Sequence, residues 1–281
     1  MNGQSEAFLG NQNLPKSFKI ITKAGMAGGQ SREGILANWK ASQEALKTEK
    51  VPIYLLHHPA NDGTPISDTM EGIQELYLAG KFEQFGLSNF SVNEVEECFN
   101  YAKSKNYVLP TVYQSIYGLA ARQNEKELFP VLRRLGISIQ AYSSLSSGFL
   151  VKTPAEIKAG VGNFNHSTVL GKILQDMYGK PVYLEFLDGY AKLAEENGIS
   201  KAGMAYRWVV WNSALKPALG DCVVLGASSA KQMKNTVEEI DKGPLGQKIV
   251  SRLDRLWQSV ENDAPQDNFA TYKKLAASGA L

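Results

Sequence analysis

The chain has 281 residues, of which 30 are lysine or arginine and 28 are aspartate or glutamate, so its formal net charge is +2. This near-neutral balance argues against nucleic acid or an anionic membrane surface as the main partner. Hydrophobic residues make up 43% of the chain, a proportion that is typical of globular proteins and excludes a largely disordered chain.

The sequence also bears on the cellular setting. No apolar run approaches the roughly 20 residues of a membrane span, and the polar first residues lack a hydrophobic signal core. We therefore expect a cytoplasmic protein. The two cysteines, Cys98 and Cys222, are far apart and have no metal-ligand spacing. They are expected to be buried, reduced thiols, and no metal site is predicted.

Short apolar runs alternate with helical patterns along the chain. The runs predict six strands, at residues 18–24, 51–57, 85–89, 111–115, 138–143 and 223–228. Helical periodicity is present at residues 32–47, 65–77, 91–102, 125–135, 183–194, 201–212, 230–240 and 246–260. Ser91 with Glu94 and Thr153 with Glu156 have capping-box spacing, so a helix is predicted to start after each serine or threonine. A loop is expected at residues 158–180 and an irregular tail at 265–281.

Strands that alternate with helices through short links are typical of a parallel sheet. No linker divides the chain, so one α/β domain over residues 1–281 is predicted. The alternatives are a doubly wound sheet and a (β/α)8 TIM barrel, and the absence of G-x-G-x-x-G after the first strand weakens the former. Polar residues at strand ends, which a barrel gathers at one mouth, favour the barrel. These strand-end residues are Lys23, His57, Ser88, Asn89, Gln114, Ser143 and Ser228.

Several stretches make a family recognisable when they are taken together and in order. They include NGQSEAFLG, IITKA, YLLHHP with DGTP, LAGKFEQFGLSNFS, LPTVYQSIYG, KAGMAYRWVVWNSAL and GDCVVLGASSAKQMKN. On these stretches the chain resembles the aldo-keto reductase superfamily, and within it the aflatoxin-aldehyde-reductase-like branch with its fungal relatives. The resemblance implies a (β/α)8 barrel. The family's N-terminal strand-helix-strand has no counterpart here, so a truncated barrel with about six of the eight strands is expected.

The resemblance implies NADPH-linked reduction of aldehydes or ketones by an Asp, a Tyr, a Lys and a His. In the family, the Tyr protonates the carbonyl oxygen, the Lys lowers the pKa of the Tyr, the Asp pairs with the Lys, and the His orients the carbonyl. Lys23 in IITKA and His57 in YLLHHP match the Lys and the His, and are the predicted catalytic residues. The Asp and the Tyr belong to the segment without a counterpart. The alternative interpretation places both Lys23 and His57 on a solvated rim.

NADPH is the cofactor that the resemblance implies. Ser88, Asn89 and Gln114 match family positions that bind the nicotinamide carboxamide, and their side chains offer the donors and acceptors that an amide needs. The alternative is that these side chains cap the loop backbone. Tyr142 matches the residue whose ring stacks on nicotinamide, with Ser143 beside it, and the alternative for the ring is an ordinary core position.

A second group of residues matches the family element that holds the phosphate end of NADPH. It consists of Gly226 and Ser228 in a small-residue loop, and Gln232 and Asn235 on the following helix. Such a loop before a helix N-terminus suits a phosphate. Fungal relatives usually have an arginine where this chain has Asn163, so weaker cofactor binding or a lost preference for the 2′-phosphate is expected.

Three functions are compatible with this sequence. The first is an NADPH-linked reductase with an incomplete catalytic set, for which Tyr117 is a candidate replacement acid that nothing in the sequence places. The second is a non-redox isomerase, cyclase or dehydratase of fungal secondary metabolism, which uses Lys23 and His57 as acid and base on a carbonyl or polyphenolic compound. The third is a catalytically silent scaffold. Missing strands would leave bare sheet edges, so a homodimer joined at that gap is expected.

Overall fold

A computed structural model of the chain describes residues 4–25 and 29–281. The first two residues of the stretch NGQSEAFLG therefore lie outside the described residues. The described residues form two compact units. The first unit contains the described residues up to Gln114 together with Val131–Ser138, and the second contains Ser115–Pro130 and Ile139–Leu281. The predicted single domain over residues 1–281 stays a prediction.

The first unit is built on parallel strands that pair in chain order. They are β1 (Ile21–Ala24), β2 (Val51–Leu56), β3 (Phe82–Ser88) and β4 (Pro110–Ile116), whose last two residues belong to the second unit. Lys23 lies opposite Leu55, and Leu55 lies opposite Gly86. Only glycine fits at position 86, because an added Cβ would lie 2.3 Å from the Leu55 side chain and 2.7 Å from the Val112 carbonyl oxygen. Because these strands pair in parallel, their carboxyl ends lie side by side.

Five α-helices lie wholly or partly in the described part of the first unit, and the side chains of Ser31 and Ser91 cap two of them. They are α1 (Gln4–Asn11), α2 (Arg32–Leu46), α3 (Ile66–Leu78), α4 (Val92–Ser104) and α5 (Leu128–Arg134), which runs from the second unit into the first. The predicted capping box of Ser91 and Glu94 is confirmed. Helix α1 was not predicted. It packs so closely on α2 that a Cβ at Gly10 would lie 2.1 Å from the Ala45 carbonyl oxygen.

The second unit contains the strands β5 (Ser138–Tyr142), which starts on the last residue of the first unit, and β6 (Cys222–Val223). They are parallel, with Ala141 opposite Val223. The strand predicted at residues 223–228 is wrong beyond Val223: the Val224 N–H still donates to the Ala141 carbonyl oxygen at 2.8 Å, but residues 226–228 are exposed and form no strand. Cys222 is exposed as well, so only Cys98 has the expected burial, and both are free thiols.

Seven α-helices lie in the described part of the second unit. They are α6 (Pro154–Lys158), α7 (Val169–Tyr178), α8 (Pro181–Glu196), α9 (Lys201–Arg207), α10 (Ala230–Ile240), α11 (Gln247–Val260) and α12 (Asn268–Ala277). Two of them correct the sequence analysis. The loop expected at 158–180 contains α7, which Thr168 caps and which buries Ile173 and Leu174. The tail expected to be irregular contains α12, which Asp267 caps through the Ala270 N–H at 2.6 Å.

Alternating parallel strands and helices confirm the predicted α/β class, and the six predicted strands are present in the described part of the chain. No helix among the described residues combines the length and the apolar character needed to cross a bilayer. Phe18 and Ile21, at the start of β1, are exposed. The expected homodimer stays a prediction.

Candidate functional site

Lys23 projects from β1 as a half-buried cation. Its neighbours in the strand, Thr22 and Ala24, are buried, and the residue opposite is the fully buried Leu55. Burial lowers the pKa of the Lys23 ammonium, because the charged form loses hydration. Within residues 4–25 and 29–281, no side chain or carbonyl group forms a hydrogen bond or an ion pair with this ammonium. The charge of Lys23 is therefore weakly compensated by its described surroundings.

His57 is the first residue after β2 and is also half-buried. Its pKa is lowered from 6.5 to about 4, first by burial, then by the charge of Lys23, and then by His58. The imidazole is therefore neutral at physiological pH, with one ring nitrogen that donates a hydrogen bond and one that accepts. Ala24 of β1 lies opposite Leu56 of β2, so the two predicted catalytic residues, Lys23 and His57, flank one paired position at neighbouring strand ends.

His58 has a structural environment that differs from that of His57. It is only 5% exposed, and its Nδ1 lies 2.8 Å from the Pro59 carbonyl oxygen and 3.3 Å from Nε2 of Gln30. The Gln30 amide also donates to the His58 carbonyl oxygen. These bonds hold the turn that follows β2, so His58 fixes the backbone beside His57.

Ser88 and Asn89 connect the ends of three strands. The Asn89 amide Nδ2 donates to the His57 carbonyl oxygen at 2.8 Å and lies 3.2 Å from the Ser88 hydroxyl. The Ser88 hydroxyl donates to the Gln114 carbonyl oxygen at 2.9 Å. The structure thus brings Lys23, His57, Ser88, Asn89 and Gln114 to one edge of the first unit. It also shows that Ser88 and Asn89 bond the backbone, as the alternative interpretation of these residues requires.

Tyr113 supports this edge, and the sequence analysis missed it. Its hydroxyl donates to the Phe90 carbonyl oxygen at 2.6 Å and accepts from the Phe90 N–H at 3.0 Å. Both bonds fix the chain after Asn89, which has a positive φ of 59°. A tyrosine one residue before Gln114 in a buried strand carries no distinctive spacing, so no sequence signal identified this role.

The second unit contains an open cavity of about 470 Å³. Five of the predicted cofactor residues line it, namely Tyr142, Ser143, Gly226, Ser228 and Gln232. Asn163 lines it too, and its amide donates to the Ser147 carbonyl oxygen at 3.1 Å. None of the described residues that line this cavity is a lysine or an arginine. A ligand here would meet neutral hydrogen-bonding groups.

The N-terminus of α10 shapes one wall of this cavity. The Gln232 side-chain oxygen accepts from both the N–H and the hydroxyl of Ser228, each at 2.8 Å. Ser229 caps the helix through the Gln232 N–H at 3.2 Å. These bonds hold the small-residue loop against the helix. First-turn N–H groups have no intrahelical partner and carry the positive end of the helix dipole, so they suit an anion.

Asn235 is a predicted cofactor residue that does not line the 470 Å³ cavity. It lines an adjoining cavity of about 400 Å³, whose wall also contains Lys242 and Glu239. Gln232 and Tyr206 line both cavities. Tyr206 comes from α9, and the sequence analysis did not identify it, because a single buried tyrosine on an amphipathic helix is typical of a core position.

Tyr117 is not available as a replacement acid. It is fully buried, its hydroxyl donates to Glu125 at 2.5 Å, and it accepts from the Ala214 N–H at 3.0 Å. Burial followed by the charge of Glu125 raises the pKa of this phenol. In the described parts of the chain, no three His, Cys, Asp or Glu side chains are grouped closely enough to hold a metal ion.

Comparisons with known proteins agree with this geometry. A family model described as the aldo/keto reductase family matches residues 1–258. The chain is 42% identical over 265 residues to oxidoreductase sirO of Leptosphaeria maculans, across 94% of this chain and 80% of that protein. It is 33% identical over 279 residues to aflatoxin B1 aldehyde reductase member 2 of Homo sapiens, across 94% and 77% of the two chains.

A third relative is aldo-keto reductase pigE of Monascus ruber, which is 27% identical over 224 residues, across 78% of this chain and 65% of that protein. Together with the six parallel strands, the family match confirms the predicted fold class, an α/β fold of the (β/α)8 type. The expected truncation and the predicted roles of the site residues stay predictions.

Proposed function

Because the chain belongs to the aldo/keto reductase family, we propose that it is an oxidoreductase that reduces the carbonyl group of an aldehyde or ketone with NADPH. The observation that carries this proposal is the Lys23–His57 pair. Both side chains are half-buried near one another at the carboxyl ends of adjacent strands, the edge at which barrels of this type build their active sites.

The pair can polarise a carbonyl group. The Lys23 ammonium and the protonated ring nitrogen of neutral His57 are both donors, and a carbonyl oxygen accepts two hydrogen bonds. Negative charge develops on that oxygen during reduction, and donors that are already in place stabilise it most strongly where water is partly excluded. Asn89 holds the His57 backbone at 2.8 Å, which keeps the imidazole in position.

Lys23 can also supply the proton that completes the reduction. Its pKa lies below the ordinary lysine value because of burial, so the ammonium is a stronger acid than a solvated one. The proton would pass from Nζ to the substrate oxygen, and Nζ would regain a proton from water. In this proposal Lys23 acts as the proton donor at the substrate oxygen.

The second unit has features that fit NADPH. Its cavity combines the Tyr142 ring, the Ser143 hydroxyl and the loop at Gly226 and Ser228, which leads into the capped N-terminus of α10. The ring offers an aromatic surface, and the loop and helix offer N–H groups for phosphate. When bound, NADPH would supply the hydride. Among the described residues that line the cavity, none is a lysine or arginine that could pair with a 2′-phosphate.

A second candidate function is non-redox proton transfer on a carbonyl compound. It is favoured by the position of Lys23 and His57, both half-buried at the ends of neighbouring strands. A lysine with a lowered pKa beside a neutral histidine provides an acid and a base without a cofactor.

Steady-state kinetics test the first proposal. The measurement is loss of NADPH absorbance with an aromatic aldehyde, for the natural chain and for a heat-inactivated control. We expect NADPH to be consumed faster than in the control, and typical enzymes turn over at about 1–10³ s⁻¹. A rate equal to the control would reject the reductase. Deuterium exchange next to the carbonyl of a ketone, without NADPH, would then support the second candidate.

A further inference from the structure

We propose that a groove between α8 and α11 binds an acidic segment of a partner protein. This α8–α11 groove has a volume of about 270 Å³, and its lining includes Gly189, Lys192, Leu193, Arg252, Arg255 and Leu256. None of these residues lines the two cavities described above, and none is a predicted catalytic or cofactor residue. Binding there would be a function beyond the proposed reduction of a carbonyl group.

The two helices line the α8–α11 groove with stripes of the same spacing. Residues 189, 192 and 193 of α8 are separated by three and four positions, as are residues 252, 255 and 256 of α11, so each set lies on one helix face. The helices are antiparallel, because Arg252 forms an ion pair with Glu196 at 2.5 Å, whereas Leu256, one turn further along α11, lies beside Gly189 in the middle of α8. A Cβ at Gly189 would lie 2.7 Å from Cδ2 of Leu256, so glycine lets the two helices approach closely here.

The floor of the α8–α11 groove is apolar. Leu193 is only 1% exposed, and Leu256 is half-buried. The volume of the groove is below the roughly 300–1,000 Å³ that small-molecule sites have. A shallow apolar floor between two helices instead suits one or two apolar side chains of a peptide.

The rim of the α8–α11 groove is positively charged. Three of its lining residues are cations and none is acidic. One cation is already paired with a glutamate, but Lys192 and Arg255 are exposed and form no hydrogen bond or ion pair in the described part of the chain. By contrast, Lys274 in the same unit lies 2.8 Å from Asp176. Two uncompensated cations beside an apolar floor are complementary to carboxylates that flank an apolar side chain.

The surrounding surface favours a narrow partner over a broad one. Glu185, Asp188 and Glu195 are exposed on α8, and their spacing places them on the same face as Lys192. A lipid bilayer with anionic headgroups would meet these carboxylates together with the cations and would be repelled by them. A peptide that lies along the groove meets the cations first. We therefore assign the groove to an acidic peptide segment.

Fluorescence polarisation tests this assignment on the natural chain. The probes are two fluorescein-labelled peptides, EELEELLEE and QQLQQLLQQ, which have the same leucines and differ in charge. We expect EELEELLEE to bind about tenfold more tightly than QQLQQLLQQ, and added salt to reduce the difference. Equal affinities, or no binding of EELEELLEE at about 1 mM protein, would overturn the proposal. So would displacement of EELEELLEE by phosphatidylserine vesicles or by inorganic phosphate, because it would indicate a lipid or phosphate site.

Variants locate the binding site. Arg255→Glu should weaken binding of EELEELLEE by about tenfold or more. Lys248→Glu makes the same change of charge on α11, at an exposed position outside the groove lining, and should have much less effect. Equal weakening by the two variants would overturn the proposal, since it would show only a nonspecific effect of charge.

Two further measurements keep these outcomes clear. Circular dichroism establishes that each variant is folded, and Lys192→Glu takes the place of Arg255→Glu if that variant is not. NADPH oxidation by Arg255→Glu is measured separately and should equal that of the natural chain. Loss of peptide binding and failure of the proposed reductase are therefore distinguishable.

Discussion

Lys23 and His57 lie near each other at the carboxyl ends of two neighbouring parallel strands, and the charge of Lys23 helps to hold the pKa of His57 near 4. Burial is the larger cause, and His58 adds a smaller contribution. The result is an unusual pair in which the lysine has lost part of its hydration and the histidine stays neutral. Both properties suit chemistry on a carbonyl group.

The pKa of His57 predicts how stability depends on pH. The folded state holds this pKa near 4, against 6.5 for the free side chain, so the unfolded chain binds more protons between these values. The contribution of His57 to the free energy of unfolding is therefore fully present above about pH 6.5. It is lost as the pH falls to about 4, and the loss is at most about 3 kcal/mol.

Urea denaturation at a series of pH values measures this effect. His57→Gln should lose that part of the pH dependence, whereas His166→Gln, at an exposed position, should keep it. An unchanged pH profile in His57→Gln would show that the imidazole is not desolvated in the folded state.

The packing of α1 on α2 gives a prediction about stability. A Cβ at Gly10 would meet the Ala45 carbonyl oxygen at 2.1 Å, so Gly10→Ala must displace α1. We expect a loss of about 1–3 kcal/mol in the free energy of unfolding. Gly246→Ala is the matched control, because no atom lies within 4 Å of an added Cβ there. Equal stability of the two variants would mean that α1 does not pack as described.

The neutral cavity of the second unit predicts weak discrimination between NADPH and NADH. Asn163→Arg would place a cation on the cavity wall, and the variant should bind NADPH about tenfold more tightly with little change for NADH. Titration by tryptophan fluorescence measures both affinities. Val161→Arg adds the same charge at an exposed position outside the cavity lining and should change neither. An identical gain in both variants would indicate a nonspecific charge effect.

Much of the fold was predictable because its signals are local. The capping boxes at Ser91 and Thr153 mark helix starts that the structure confirms, and the apolar stripe of α8 is buried as its spacing indicates. Helix α7 was missed although Ile173, Leu174 and Met177 form a buried stripe, because the glycines around it suggested a loop. Its Gly171 in fact allows a close approach to the backbone of Asn165.

Sequence patterns identified residues of the candidate site, but not the contacts that these residues make with one another. Strand-end positions identified Lys23 and His57, and the structure brings them together. The bonds of Ser88 and Asn89 to backbone carbonyls depend on tertiary contacts. So does the position of Asn235, which lines only one of the two cavities that Gln232 lines. No pattern in the sequence encodes such contacts between distant residues.

The central claim is that Lys23 delivers the proton for carbonyl reduction, and the rate of NADPH oxidation by Lys23→Arg tests it most directly. Arginine keeps the positive charge but does not release its proton. We expect kcat/KM with an aromatic aldehyde to fall by about 10²–10⁴-fold, while Lys19→Arg retains the natural rate. In the natural chain, kcat/KM should also decline as pH rises toward the lowered pKa of Lys23. A Lys23→Arg variant that keeps the natural kcat/KM and pH profile would contradict the account.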